Sequence, residues 1–190
     1  LFNQVRIISG SLRGRKIVPP KGIKARPTTD IAKEGLFNIL EHRLDLDGMI
    51  AYDLFSGTGN ITFELVSRGV EMVYSIDISP LSQDFIRRTA KEFGVEDRVK
   101  VVRADVWRLA KNLEVKADLI FADPPFTLKD YHKLHELVFE HELLNPGGML
   151  VIEHPDKADF EGMRGFDVTK NYGNLNFSFF INSPQLKVVE

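Results

Sequence analysis

The spacing of apolar residues along the chain changes period several times, and each change marks a predicted element. Residues 5–9 ("VRIIS") and 14–18 ("GRKIV") read as two short strands around a glycine-containing turn. "PPKGIKARP" follows as a linker, and Thr29 or Asp30 is placed to cap a helix. That helix carries Ile31, Leu36, Phe37, Ile39 and Leu40 on one stripe. From there strands and helices alternate. Residues 49–55 ("MIAYDLF") predict a strand entering a glycine turn, "NITFELVSRG" a helix ended by Gly69, and residues 71–77 ("EMVYSID") a second strand. Ser79 caps the next helix and Pro80 fits its first turn. Further strands are predicted at 98–105, 117–123 and 147–154, with a helix over "KDYHKLHELVFEHEL" between the last two. The segment "RGFDVTKNYGNLNFSFFIN" closes as two strands around Tyr172-Gly173-Asn174. Such alternation means an α/β fold, a mostly parallel sheet with helices on both faces, to which the last hairpin adds one reversed strand.

Length and composition bound the function. At 190 residues and 43% hydrophobic, the chain suits one compact domain with a short appendage. We divide it into a basic arm and linker over residues 1–28 and a main domain over 29–190. Residue 1 is not Met, and the opening "LFNQ", expected to be a processing or cloning remnant, is left out of the fold reading. No stretch is apolar enough for a membrane span and the start lacks a secretion-signal layout, so a cytoplasmic protein is expected. With no cysteine, thiolate nucleophiles and thiolate metal sites are excluded. His132 and His135 stand one helical turn apart without a third ligand, so a surface helix is expected there and no metal.

The overall charge of −2 hides an asymmetry. Through residue 29 the chain has Arg6, Arg13, Arg15, Lys16, Lys21, Lys24 and Arg26 and no acid, a charge of +7 against −9 for the rest. A basic arm on an acidic body suits phosphate contacts, and equally a solvated hairpin.

In open parallel sheets, ligands bind beyond the carboxyl ends of the strands. Here those ends carry acids. "DLFSGTGN" places Asp53, Gly57 and Gly59 where backbone N–H groups and a helix N-terminus can meet a ligand. A dinucleotide fingerprint wants a third glycine where Thr62 stands, which weakens a dehydrogenase reading. Asp77 ends the next strand at the position of a ribose-binding acid, and Asp105 ends the third, where it can accept from an adenine amine. Together they describe a pocket for a nucleoside with a cationic or amino tail, Asp53 nearest the amine. The fourth strand ends "DPPF". Asp123 and the Pro124 carbonyl offer two acceptors to a base amine, turning its lone pair outward, and Phe126 can stack on the base.

At these residues the sequence resembles the class I S-adenosylmethionine-dependent methyltransferases, whose exocyclic-amine members carry (Asn/Asp)-Pro-Pro-(Tyr/Phe). Over nearly the whole chain, "RIISGSLRGRKI", "RPTTDIAKEGLFNIL", "DLFSGTGN", "LVSRG", "DPPF" and "YGNLNFSFF" are similar to the bacterial 16S ribosomal RNA (guanine-966-N2)-methyltransferase family. The resemblance implies a Rossmann-like sheet of seven strands behind an N-terminal β-hairpin. It also implies S-adenosyl-L-methionine as cofactor, and 16S ribosomal RNA or a small-subunit assembly intermediate as partner. By position it assigns cofactor binding to Asp53, Phe55, Gly57, Gly59, Asp77, Ile78, Asp105 and Val106, and the base site to Asp123, Pro124, Pro125 and Phe126. The chain departs from the family in "FSGTG" for the commoner "FAGSG", and in "IRRTAKEFG" where an Asn-Leu pair is usual.

The expected reaction is methyl transfer to a guanine N2 amine, on a base that is single-stranded or flipped out. The basic arm is expected to hold phosphates and not to read sequence. Adenine-N6 methylation on the same scaffold and a non-catalytic RNA-binding assembly module are the alternatives. Glu153, His154 and Tyr172 lie near strand ends and receive no role.

Overall fold

The computed structural model describes residues 5–23, 29–125, 127–155 and 158–183. Phe126, Lys24 and Arg26 of the expected site lie outside these.

Strand β1 (Val5–Arg6) pairs antiparallel with β2 (Lys16–Ile17) as the predicted hairpin. The main sheet follows helix α1 (Asp30–Arg43): β3 (Ile50–Leu54), α2 (Asn60–Ser67), β4 (Met72–Asp77), α3 (Pro80–Phe93), β5 (Val99–Arg103), α4 (Val106–Leu109), β6 (Ala117–Ala122), α5 (His132–Glu140), β7 (Leu144–His154), β8 (Phe166–Tyr172) and β9 (Leu175–Ile181). Its seven strands run in the order β5-β4-β3-β6-β7-β9-β8, and β9 alone is antiparallel to both its neighbours. This is the expected mostly parallel sheet with one reversed strand.

Alternation along each strand builds a core on each face. Leu119 and Phe121 of β6 pack with Phe37, Phe63 and Ile86 on one side, while Ile120 and Ala122 pack with Leu134, Val138 and Phe180 on the other. The hairpin belongs to the first core: Val5, Ile7, Leu12 and Ile17 are all buried in it. Gly10 makes that seat possible. Its φ of +80° and its approach to α2 leave no room for a side chain, since an added Cβ would stand 1.8 Å from the Ser67 carbonyl oxygen.

Several local expectations change. Ile31 is 77% exposed, and Lys33 takes the inward position in the first turns of α1. At 100° per residue Ile31 is out of phase with Leu36 and Leu40, whereas Lys33, Leu36, Phe37 and Leu40 share a face. Thr29, not Asp30, caps the helix, its Oγ1 accepting from Ala32 N at 3.2 Å. The third predicted strand ends early at Arg103, because Asp105 accepts from Trp107 N at 2.9 Å and caps α4. His135 is not on a surface face: it is buried, stacked on Phe139 at 4.3 Å, with Nε2 bonded to the Arg164 carbonyl at 2.7 Å.

Candidate active site

The strand order reverses between β3 and β6, whose carboxyl ends lie side by side with Leu54 opposite Ala122. The next residue of β6's chain, Asp123, donates its N–H to the Leu54 carbonyl at 3.3 Å. A cleft of about 540 Å³ opens at this point. Asp53, Phe55 and Gly57 line it from the first turn, Asp77, Ile78 and Ser79 from the end of β4, and Asp123, Pro124 and Pro125 from the end of β6. Residues separated by seventy positions in sequence thus face one space.

The first turn is bent hard. Phe55 adopts φ +64°, rare for an aromatic residue, and Gly57 and Gly59 follow at +53° and +73°. Gly59 does not line the cleft; an added Cβ there would press on Phe63 and Ile86 at 2.9 and 3.0 Å, so this glycine serves close packing against α2 and α3. The turn's amides are partly consumed. Gly59 N donates to the Ser56 carbonyl at 2.7 Å and Gly57 N to Asp77 Oδ2 at 2.8 Å. Asp77 Oδ1 accepts from Ser79 N, also at 2.8 Å, so its carboxylate ties β4 to the glycine turn. Each carboxylate oxygen keeps a further lone pair for a ligand hydroxyl.

Asp53 is 2% exposed, and its Oδ2 accepts from both the N–H and the Oγ1 of Thr62 at 2.9 and 2.5 Å. The residue that breaks the dinucleotide fingerprint therefore anchors this acid. Burial pushes Asp53 up to about 7; the two bonds from Thr62 oppose the shift, and the nearby charges of Asp123 and Asp77 add to it. A cation entering the cleft would favour its carboxylate form.

Asp105 and Val106 do not line the cleft; Trp107 of α4 lies beside it, its ring 6.4 Å from that of the lining residue Phe55. In the Asp-Pro-Pro turn, Asp123 is half-buried, Pro124 buried and Pro125 exposed. The Pro125 carbonyl accepts from Leu128 N at 2.8 Å and so closes the turn. Sequence reasoning missed Ser56 and Thr58 of the first turn, Asn60 and Ile61 at the start of α2, and Gly22 and Ile23 of the linker, all of which line the cleft. Asn60 was legible as a polar residue at the start of a helix facing the strand ends; Gly22 and Ile23 carried no chemical signal.

In the arm, Arg13, Lys16 and Lys21 are exposed. Arg6 pairs with Asp30 at 3.4 Å, and Arg15 lies over the Phe93 ring at 5.0 Å. The arm is fastened by a buried network. Glu64 accepts from Ile8 N at 2.9 Å, Ser9 N at 3.1 Å and Arg68 Nε at 2.9 Å, and pairs with Lys33 Nζ at 3.0 Å. Lys33 Nζ also donates to the Arg6 carbonyl at 2.6 Å and to Asn60 Oδ1 at 2.9 Å. Burial pulls Lys33 below its ordinary range while Glu64 pulls it back up. Among the described residues no cluster of three metal-ligating side chains exists, and no helix is long and apolar enough to cross a membrane.

Comparison with known proteins agrees with this architecture. A putative rRNA methyltransferase, YlbH, of Bacillus subtilis is 33% identical over 158 residues, 82% of this chain and 85% of its own. The ribosomal RNA small subunit methyltransferase D of Haemophilus influenzae is 27% identical over 153 residues, covering 79% and 78% of the two chains. An RNA methyltransferase from Salinibacter ruber, solved with S-adenosyl-L-homocysteine, superposes with a TM-score of 0.63 at 23% identity over 86% of this chain and 97% of its own, a likeness of fold. The model of the family described as "Conserved hypothetical protein 95" matches residues 5–181, nearly the whole chain. The chain belongs to that family, among relatives named as methyltransferases of ribosomal RNA.

Proposed function

We propose that this methyltransferase transfers a methyl group from S-adenosyl-L-methionine to the N2 amine of a guanine in 16S ribosomal RNA. Its substrate is the free RNA or a small-subunit assembly intermediate in the cytoplasm. One observation carries the reading: the Asp123-Pro124-Pro125 turn opens into the same cleft as Asp53, Gly57 and Asp77. A donor pocket and a base-amine grip share one wall.

The cleft fits the donor. Its volume suits a nucleoside with an amino-acid tail, and three carboxylates face a ligand bearing sulfonium and ammonium charges. Asp77 would take the ribose hydroxyls and Ile78 would pack on the adenine. Bound there, the donor would supply an electrophilic methyl carbon whose bond to sulfur breaks as the N–C bond forms, leaving S-adenosyl-L-homocysteine. The chain's own work is positioning: Asp123 and the Pro124 carbonyl accept the two hydrogens of the base amine and turn its lone pair toward the cleft. Positive charge developing on that nitrogen is stabilised by the Asp123 carboxylate, which, or a water, takes the proton once the N–C bond has formed. The exposed Arg13, Lys16 and Lys21 hold phosphates.

The test is incubation with labelled S-adenosylmethionine and undermodified small-subunit particles, followed by nucleoside analysis. The expected product is N2-methylguanosine. N6-methyladenosine would move the enzyme to the other base, and RNA binding without donor binding would make it an assembly module. Replacing Arg13, Lys16 and Lys21 together by Ala should flatten the slope of log affinity against log salt by about 2 to 3. An unchanged slope would remove the arm from the RNA interface.

Asp53 predicts a pH dependence for the donor. Its acid form prevails below about 7, and the bound cation favours the carboxylate, so binding releases a proton there. Donor affinity should fall by up to about tenfold per pH unit below 7 and level off above 8. Calorimetry in buffers of different ionisation enthalpy checks the proton count, and a flat profile from pH 5.5 to 8 would contradict it.

A further inference from the structure

The amino-acid tail of the donor carries a carboxylate, which the three acids of the cleft, Asp53, Asp77 and Asp123, repel. The amides of Gly57 and Gly59 are already bonded, to Asp77 Oδ2 and to the Ser56 carbonyl. Ser56, Thr58, Ser79 and Ser82 offer hydroxyls that donate or accept, whereas Asn60 has an N–H end that can only donate. Asn60 begins α2, lines the cleft and is 9% exposed.

Its amide orientation is dictated from behind. Lys33 Nζ stands 2.9 Å from Asn60 Oδ1, and an ammonium group can only donate, so the oxygen must face Lys33. With Oδ1 held by Lys33, Nδ2 is the end of the amide left to meet a ligand in the cleft that Asn60 lines. Among the described residues, Asn60 Nδ2 has no acceptor. Lys33 cannot swing to release it, being wholly buried with its three protons given to Arg6 O, Asn60 Oδ1 and Glu64. The N–H groups that open a helix have no partner within it, and in α2 Asp53 takes the third of them, from Thr62. That leaves the first turn of α2, with the amide of Asn60, as the anion-seeking corner of an otherwise acidic cleft.

We infer that Asn60 Nδ2 binds the α-carboxylate of the methyl donor, with Lys33 as the positioning residue that turns the amide toward it. The inference rests on the donor reading above and adds to it the residue that recognises the tail. It also accounts for a buried lysine behind a ligand cleft: the cation does not touch the ligand but sets which end of an amide the ligand meets.

The experiment compares two probes by calorimetry at pH 8: S-adenosylhomocysteine, which has the amino-acid tail, and 5′-methylthioadenosine, which lacks it. In Asn60→Ala, affinity for S-adenosylhomocysteine should fall about tenfold, and affinity for 5′-methylthioadenosine should stay within about twofold. In Asn60→Asp the new carboxylate pairs with Lys33 and opposes that of the ligand, so the tail-dependent loss should be larger still. A general lesion in the turn would weaken both probes alike, and that outcome, or no loss in either variant, overturns the assignment. Failure of the unaltered protein to bind either probe would instead remove the donor reading itself.

Discussion

Asp123→Ala should lower turnover by about 10²–10³-fold while leaving donor affinity within a few-fold. The carboxylate has two tasks that alanine cannot perform. It accepts a hydrogen of the base amine, which frees the lone pair, and its charge faces the nitrogen that becomes cationic. The loss corresponds to about 3–4 kcal/mol of activation free energy. Asp123→Asn, which keeps one acceptor oxygen without the charge, should fall between the two. Donor affinity is best compared above pH 8, because Asp123 is among the charges that raise Asp53 and its removal would shift that titration. Single-turnover rates with saturating donor and RNA measure the effect. Turnover within threefold of the unaltered enzyme would leave the base grip without support.

Lys33→Met should destabilise the fold by about 3 kcal/mol, because it strands a buried carboxylate. Glu64 would still accept from Ile8 N, Ser9 N and Arg68, which keeps the cost near the lower end of the range for broken buried pairs. The same change removes the bond to the Arg6 carbonyl, so the hairpin should loosen first. Lys33→Met/Glu64→Gln removes both charges of the pair and should recover part of the loss. Urea unfolding gives the stability, and amide exchange at Ile8 and Ser9 gives the seating of the arm. A cost below about 1 kcal/mol, or a double variant worse than the single, would show that the pair does not hold the hairpin.

Much of the fold was legible because its signals are local. Short apolar runs bounded by turn residues and helices marked the strands of the main sheet, and Ser79-Pro80 and Gly173-Asn174 marked a helix start and a hairpin turn through backbone chemistry that neighbours do not alter. The departures have different causes. Ile31 is out of phase with Leu36 and Leu40 along the helix itself, whereas the burial of Lys33 depends on Glu64, in another helix, to receive its ammonium group. Asp105 caps α4 through Oδ1, a bond to Trp107 N that the strand pattern did not show.

The candidate site divides in the same way. The sequence by itself determined the chemistry available: acids after several strands, two of them beside glycine or proline turns, no thiol, and a basic arm. These are properties of residue type and of alternation, which a chain carries in any arrangement. Only the tertiary structure decided which groups share a cleft and which donors remain for a ligand. Strand order is a long-range pairing, and it alone brings Asp53 and Asp123 to adjacent strand ends; burial then raises the pKa of Asp53 against the two opposing bonds from Thr62, and Asn60 Nδ2 keeps no acceptor among the described residues.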